Sequence, residues 1–152
     1  MSLYDSTDLF WTWDGDFATG DDGDIKDTSS DALLSLRQEI ATIVKSEIGE
    51  WEADPTLGAT LSDFLGEPNN RANGEAIESR IAIKLVEASI VQREDIDVKA
   101  TPVSVHQLMI MINVLVIGTV SNKMQASTVS VNLLYDTMEN NLFFMPPVTD
   151  AE

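Results

Sequence analysis

Two stretches of the chain carry apolar residues at helical spacing. Across residues 31–48 and again across 74–91, apolar side chains recur at steps of three and four, which predicts two long helices. The second stripe is the wider one, so we expect that helix to be covered on more than one side. A short apolar turn, residues 61–65, lies between them. The apolar positions are Leu33, Leu36, Ile40, Ile43, Val44 and Ile48 in the first helix, and Ile77, Ile81, Ile83, Leu85, Val86, Ala88 and Ile90 in the second.

The predicted ends of both helices carry typical signals. Residues 29–31, Ser-Ser-Asp, offer side-chain oxygens to the free N–H groups at the start of the first helix, and Gly49 can adopt the left-handed conformation that ends it. Asn73 is the predicted N-cap of the second helix, and Gly66 ends the short apolar turn.

Beyond residue 95 the apolar period changes to two, which predicts strands. Residues 96–101 form a strand with one solvent-exposed face, whereas residues 108–117 are apolar on both faces apart from Asn113. The latter pattern predicts a central strand with a layer on each side, ended by Gly118 and followed by a loop over 121–127. Residues 129–135 and 142–145 predict two more strands. Two long helices, with a short one between them, followed by strands favour an α+β fold in which the helices pack on a mostly antiparallel sheet.

The first 28 residues form a separate, acidic segment with eight aspartates and Lys26 as its only base. Apolar side chains alternate at Leu9, Trp11 and Trp13, and glycines at 20 and 23 mark a turn, so we expect a β-hairpin arm. The predicted organisation is an arm over 1–28, a single α+β domain over 29–145 and a loose tail over 146–152.

Composition narrows the classes of function. The chain has 152 residues, 43% of them hydrophobic, no cysteine, and a net charge of −17 from 26 acidic and 9 basic residues. Such a surface repels nucleic acid phosphates and anionic lipids, so neither is an expected partner. The longest apolar run, 108–117, is too short to cross a membrane, and the acidic start is unlike a signal peptide, so we expect a soluble protein.

The connector after the first helix has a distinctive set of residues. Gly49-Glu50-Trp51 is followed after four residues by Pro55, after two more by Gly58, and then by the short apolar turn. Proline and glycine at these places predict a shaped connector, in which the Glu50 carboxylate is expected to accept backbone N–H bonds from residues 55–58. The motif is completed by Glu67, Pro68 and Asn69.

This motif resembles the signature of the small baseplate wedge proteins of contractile phage tails, a family also found in type VI secretion systems. Gly-Glu-Trp is similar to the branch from Mu-like and related myophages, and the similarity covers about residues 8–117. The resemblance implies a virion structural protein, made in the host cytoplasm and present once in each of six wedges. It would link the inner baseplate to the first sheath ring, with other wedge proteins, the sheath protein and possible tube or hub proteins as partners and no cofactor.

Two positions depart from the family pattern. Many members carry a basic residue directly after Gly-Glu and another just before the proline, where this chain has Trp51 and Asp54. Many also carry Glu-Pro-Arg-Ile after the next helix, where this chain has Arg93, Glu94, Asp95 and an isoleucine. The ionic contacts that the family makes there are not implied for this chain.

Attachment to a neighbour by strand addition would need an open sheet edge, and residues 129–135 or 142–145 are the expected edge. Tryptophan is enriched among residues that carry binding energy, but core burial is an equal alternative for each of the three. The candidate interface residues are Trp11, Trp13, Trp51, Arg93, Glu94, Asp95, Val131, Leu133 and Tyr135.

Catalytic and metal chemistry find weak support. Some relatives of the family were historically labelled lysozymes, so a peptidoglycan hydrolase using Glu50 and Glu67 is the alternative function. With 26 acidic residues, some pair of carboxylates at a suitable distance is expected in any case. Such a pair therefore does not distinguish a hydrolase from a structural protein. The aspartates of residues 14–27 do not match the spacing of a calcium-binding loop, because Ala18 or Lys26 falls on a ligand position. No catalytic residue and no metal site are therefore predicted, and a calcium-dependent adhesion module remains a third possibility.

Overall fold

The protein, described here from a computed structural model, has an α+β fold. The structure describes residues 9–10, 17–27, 32–120 and 123–145. Two helices pack on one antiparallel sheet of four strands in the order β1-β2-β3-β4, which confirms the predicted fold class. The elements are α1 (Ala32–Lys45), a 3-10 helix (Leu61–Phe64), α2 (Arg71–Glu87), a second 3-10 helix (Arg93–Asp95), β1 (Ile96–Pro102), β2 (Gln107–Val120), β3 (Lys123–Asp136) and β4 (Asn141–Met145).

The sheet is built around the long hairpin of β2 and β3. These strands pair from Gln107 opposite Asp136 to Val120 opposite Lys123. The predicted strand end at Gly118 is therefore wrong, and so is the predicted loop over 123–127, whereas residues 121 and 122 lie outside the described residues. Lys123, Ser127 and Thr128 lie where the hairpin extends beyond its neighbours, and they are exposed there.

The outer strands cover only part of the hairpin. β1 pairs with residues 108–114 of β2, and β4 pairs with residues 132–136 of β3. Residues 115–120 and 123–128 consequently pair only with each other among the described residues, and we call this two-stranded extension the ribbon.

The core lies between the helices and one face of the sheet. Alternate strand residues enter it, as the period of two predicts, and both helices contribute their apolar faces. The buried apolar residues of the sheet are Ile96, Val98, Leu108, Ile110, Ile112, Val114, Val116, Val129, Val131, Leu133 and Tyr135. Those of the helices include Leu36, Ile40, Ile43, Val44, Ile77, Ile81 and Leu85.

The opposite face of the sheet, the outer face, is not covered by any element that the structure describes. Met111, Leu115 and Ile117 of β2 are 39%, 40% and 54% exposed there. The predicted second layer over residues 108–117 is therefore not found among the described residues. Both faces are apolar, as the pattern indicates, but the described elements cover only one of them.

The helices differ from their predicted extents at their ends. α1 ends at Lys45, which leaves Ile48 53% exposed, and its predicted N-cap residues 29–31 lie outside the described residues. α2 begins three residues earlier than predicted, because the Asn70 side chain, and not that of Asn73, accepts the capping hydrogen bond. α2 contacts β1, α1 and both 3-10 helices, and Val86 and Ala88 pack against the core, so the wider cover is present. The expected contribution of Ile83 is wrong, because this side chain is 52% exposed.

The described part of the N-terminal arm forms a tight turn. Thr19 bridges Ile25 across Gly20 to Asp24, and the Leu9 carbonyl accepts a hydrogen bond from Gln38 of α1 at 3.0 Å. Trp11, Trp13 and the predicted tail over 146–152 lie outside the described residues. Within the described chain, neither helix combines the length and the apolar character that a membrane span requires.

Ile112 and Ile117 provide a matched test of the one-sided core. Ile112→Ala should lower the free energy of unfolding by about 2 to 5 kcal/mol, because Ile112 is fully buried, whereas Ile117→Ala on the outer face should cost less than about 1 kcal/mol. Urea unfolding of the two variants measures both values. Equal losses would mean that the outer face is covered after all.

Candidate functional site

The connector after α1 folds back and caps the C-terminal end of that helix. The backbone N–H groups of Ala59 and Thr60 donate to the carbonyls of Ile43 and Ser46 at 3.0 and 3.2 Å. The last carbonyls of a helix have no partner within the helix, so these two bonds satisfy groups that would otherwise need water. We call residues 46–61 the corner.

Gly58 makes this close return possible. Its φ is +126°, and a Cβ at this position would lie 2.5 Å from the Ser46 carbonyl oxygen. No other residue type fits without a backbone shift. The glycine that the sequence marks as a bend is thus a point of direct backbone contact with the end of α1.

The rest of the corner is held by short-range hydrogen bonds. Gly49, with φ of +88°, donates its N–H to the Pro55 carbonyl at 2.8 Å. The Asp54 carboxylate accepts from the N–H and the hydroxyl of Thr56, and the Thr60 hydroxyl accepts from the Ile48 N–H at 2.8 Å. The predicted shaped connector is therefore present, with glycine and proline at the two ends of its inner loop.

Glu50 acts at a different place from the one predicted. Its carboxylate is exposed and accepts the Glu47 N–H at 3.0 Å, next to the end of α1, and not an N–H of residues 55–58. The direct reason is the turn in which Glu50 donates its own N–H to the Glu47 carbonyl, because this turn brings the side chain back onto the preceding residues. The role is structural, as expected, but the partner was wrong.

Trp51 is neither a core residue nor a free one. It is 41% exposed, and its indole N–H donates to the Ser46 hydroxyl at 2.8 Å. That hydroxyl in turn donates to the Thr42 carbonyl at 2.6 Å. The ring is thus held against the end of α1 while part of its surface faces solvent.

Arg80 connects the corner to α2. Its guanidinium donates to the Thr60 carbonyl at 3.2 Å, forms a salt bridge with Asp63, and lies 4.9 Å from the centre of the Phe64 ring. A guanidinium can bind a carbonyl, a carboxylate and an aromatic face at once. Helical spacing does not indicate this role, since a single arginine on a helix is usually solvated.

Tyr135 connects the corner to the sheet. Its side chain is fully buried, and its hydroxyl donates to the Leu61 carbonyl at 2.7 Å. Burial, together with the nearby negative charges of Glu47 and Asp136, raises the pKa of Tyr135 to about 12. Tyr135, Val131 and Leu133 therefore lie in the core, and their selection as interface side chains is wrong because odd-numbered positions of β3 face the helices.

Glu67, Pro68 and Asn69 are placed at the same end of the sheet. The Asn69 amide donates to the carbonyls of Ser104 at 2.6 Å and Gln107 at 2.9 Å, which ties it to the loop between β1 and β2. Glu67 is exposed, and the Pro68 carbonyl accepts from the Asn73 side chain at the start of α2. This part of the motif joins the start of α2 to the sheet.

Two further bonds join the loops at this end. The Gly66 N–H donates to the Thr137 carbonyl at 2.9 Å, and the Thr137 N–H donates to the His106 carbonyl at 2.8 Å. The corner, the Asn69 segment and the loops at 103–106 and 137–140 are therefore linked into one hydrogen-bonded unit, which we call the closed end.

The two edges of the sheet differ. On β1, the Ala100 N–H donates to the Glu78 carboxylate of α2 at 2.8 Å, and Gly74 brings the α2 backbone so close that a Cβ there would lie 3.2 Å from the Ala100 carbonyl. A side chain that occupies an edge N–H blocks strand pairing at that point.

On the other side, no described residue pairs with the backbone edge of β3 over 123–131, and β4 is the outermost strand beside 132–136. We call these two segments together the open edge. The expectation that 129–135 or 142–145 forms an edge therefore needs correction for β3, because residues 132–136 are flanked on both sides.

The remaining candidates are not brought together. Arg93 and Glu94 are exposed, and Asp95 is half-buried, in the 3-10 helix before β1, and none of the three forms a salt bridge with another described residue. Glu50 and Glu67 are both exposed, so neither side chain lies in an apolar pocket. Among the described residues, no three His, Asp or Glu side chains are grouped as metal ligands.

Comparison with family models, with curated proteins and with solved structures finds no match to this chain.

Gly58 and Gly49 provide a matched test of the corner. Gly58→Ala should lower the free energy of unfolding by more than about 2 kcal/mol, because the new Cβ meets the Ser46 backbone, whereas Gly49→Ala should cost about 1 kcal/mol for its positive φ alone. Urea unfolding measures the difference. A smaller loss for Gly58→Ala than for Gly49→Ala would contradict the close contact.

Alkaline titration tests the contact of Tyr135 with the corner. The folded-state pKa of about 12 lies above the ordinary value of 10, so the folded state retains the proton over this range and stability falls as pH rises from 10 to 12. Tyr135→Phe should remove this part of the fall, roughly 2 kcal/mol, while lowering stability at pH 7 by about 1 kcal/mol through the lost hydrogen bond. Unfolding curves at pH 7, 10 and 11.5 provide the comparison, and an unchanged alkaline fall in the variant would contradict the assignment.

Proposed function

We propose that this protein is a structural subunit that attaches a neighbouring chain by accepting a β-strand at its open edge. The observation that carries the proposal is the difference between the two edges of the sheet. The Glu78 carboxylate occupies an N–H of β1, whereas the edge of β3 that faces away from β2 has no partner over 123–131 among the described residues. An unpaired strand edge supplies N–H and C=O groups in the positions that an extended segment of another chain needs.

The open edge is large enough for a partner strand. Residues 123–131 span about 27 to 30 Å at the usual rise of a strand. Val129 and Val131 of this segment are buried on the helix side, so an added strand would continue a sheet that already has a core beneath part of it. The chain's own continuation after β4 begins with Pro146 and Pro147, which have no N–H to donate to a ladder.

The closed end suits a subunit that must withstand a pulling force. Gly58, Arg80 and Tyr135 join α1, α2 and the sheet through backbone and side-chain bonds around one corner. A pull on the added strand would act along the hairpin of β2 and β3, and Tyr135 on β3 transmits it directly to the corner. This arrangement suits a connector between two parts of an assembly.

The proposed setting follows from the resemblance of the connector to that of baseplate wedge proteins. On that basis the protein links the inner baseplate of a contractile tail to the first ring of the sheath, with a sheath segment as the added strand. Gly58 and Asn69 support this comparison, because both belong to the shared motif and both make structural contacts in this chain. Copy number, virion location and the absence of enzymatic activity are parts of the same proposal.

Two adjacent proline variants test strand addition. Neighbouring strand residues direct their N–H groups to opposite edges, so of Ala126→Pro and Ser127→Pro one removes a bond to β2 and the other an N–H of the open edge. The variant that loses the bond to β2 should lose about 3 kcal/mol or more of its free energy of unfolding. The variant that loses the N–H of the open edge should unfold at a temperature closer to that of the unchanged protein and yet fail to assemble into particles.

Electron microscopy of the assembled particle provides the readout. In particles with the unchanged protein, density for a foreign strand should lie beside residues 123–131 or 141–145. If both proline variants assemble normally, or if the chain lies away from the junction of baseplate and sheath, the proposal is wrong.

A further inference from the structure

The outer face of the sheet carries an apolar strip that no element of the described residues covers. Along β2 the strip runs through Met109, Met111, Leu115 and Ile117, which extend about 26 Å at the rise of a strand. Phe143 of β4, 51% exposed, widens it on one side. Strand addition happens in the plane of the sheet, so an added strand at the open edge would leave this strip uncovered.

The outer face is also poor in charge compared with the whole chain. Among the described strand residues that point to this face, the charged ones are Asp97 and Lys99 of β1 and Asp136 of β3. The chain as a whole carries 26 acidic and 9 basic residues. An apolar, charge-depleted centre with methionine and phenylalanine is typical of the core of a protein interface.

The charge of the chain selects the kind of occupant. Two copies that met face to face would bring together two chains of net charge −17, which repel each other. A partner segment with net positive charge is attracted by the same field. On the outer face, Asp97 lies beside Asn113 in the middle of the strip and Asp136 lies beside Gln107, just beyond its Met109 end, so each can receive a basic side chain. Lys99, beside Met111, is the one basic residue among the described strand residues of this face.

We propose that the outer face binds an amphipathic helix of a partner protein, whose apolar side lies along Met111, Leu115 and Ile117 and whose polar side is basic. A helix is the element that covers the opposite face of this sheet, and about 18 helical residues match the 26 Å of the strip. The hydrogen-bonded pair of Asn113 and Ser130, 2.7 Å apart, interrupts the strip at its middle, and Thr128 and Asn132 of β3 lie beside Leu115 and Met111. This surface is separate from the open edge and does not depend on the proposed setting.

The probe is an 18-residue labelled peptide with leucines on one helical face and lysines on the other. A second peptide with glutamate in place of lysine, and a third with the same composition as the first in scrambled order, serve as controls. Fluorescence polarisation with the full chain measures the dissociation constants. The first peptide should bind saturably at a ratio of one to one, and both controls at least tenfold more weakly.

Two protein variants separate docking on the strip from simple charge attraction. Leu115→Glu places a negative charge in the strip, whereas Val105→Glu places the same charge on a side chain that is 78% exposed in the loop between β1 and β2. Docking predicts that Leu115→Glu weakens binding of the lysine peptide at least tenfold despite the added attraction, while Val105→Glu changes it less than twofold. Circular dichroism confirms that both variants are folded.

Three outcomes would overturn the proposal. If the two variants bind the lysine peptide with equal affinity, charge attraction alone explains the binding. The same conclusion follows if the scrambled peptide binds as tightly as the lysine peptide. A dimer in sedimentation experiments that Leu115→Glu dissociates would assign the strip to a second copy. The open-edge proline variant should bind the peptide normally, so failure of this proposal and failure of strand addition are distinguishable.

Discussion

The structure depends on how the end of α1 is satisfied. The carbonyls of Ile43 and Ser46 receive the N–H groups of Ala59 and Thr60, and this return is possible because Gly58 has no Cβ. From that contact the chain enters the short 3-10 helix, whose Leu61 carbonyl accepts the Tyr135 hydroxyl. A backbone contact between two loop residues and a helix end therefore fixes how the first helix sits on the sheet.

The molecule is built with two unlike ends. At the closed end, hydrogen bonds from Asn69, Thr137 and Tyr135 join every loop to a neighbour, so few backbone groups there are left for another chain. At the other end the ribbon extends past β1 and β4 with unpaired edges among the described residues. The closed end is therefore held by the chain's own hydrogen bonds, whereas the open edge can pair with a partner strand. The outer face provides a second, apolar surface.

Periodicity predicted the elements well because burial of one face is what the sequence encodes most directly. The stripes of α1 and α2 and the alternation at Val129, Val131, Leu133 and Tyr135 all correspond to elements of the structure. The glycine and proline positions of the corner were also predictable, since positive φ and a fixed φ are local properties.

The errors arose where a residue's role is set by a distant partner. The salt bridge of Arg80 and the edge-blocking contact of Glu78 depend on tertiary placement that spacing does not encode. Glu50 is a local exception, because the turn that it forms with Glu47 decides which N–H its carboxylate reaches. Residues 108–117 showed a second apolar face but not whether this chain covers it.

Amide hydrogen exchange measures the protection of the corner and of the open edge in one experiment. We expect the amides of Ala59 and Thr60 to exchange as slowly as those of the paired core of β2, and alternate amides of residues 123–131 to exchange rapidly in the isolated protein. Rapid exchange at Ala59 and Thr60, together with uniform protection along residues 123–131, would contradict this expectation.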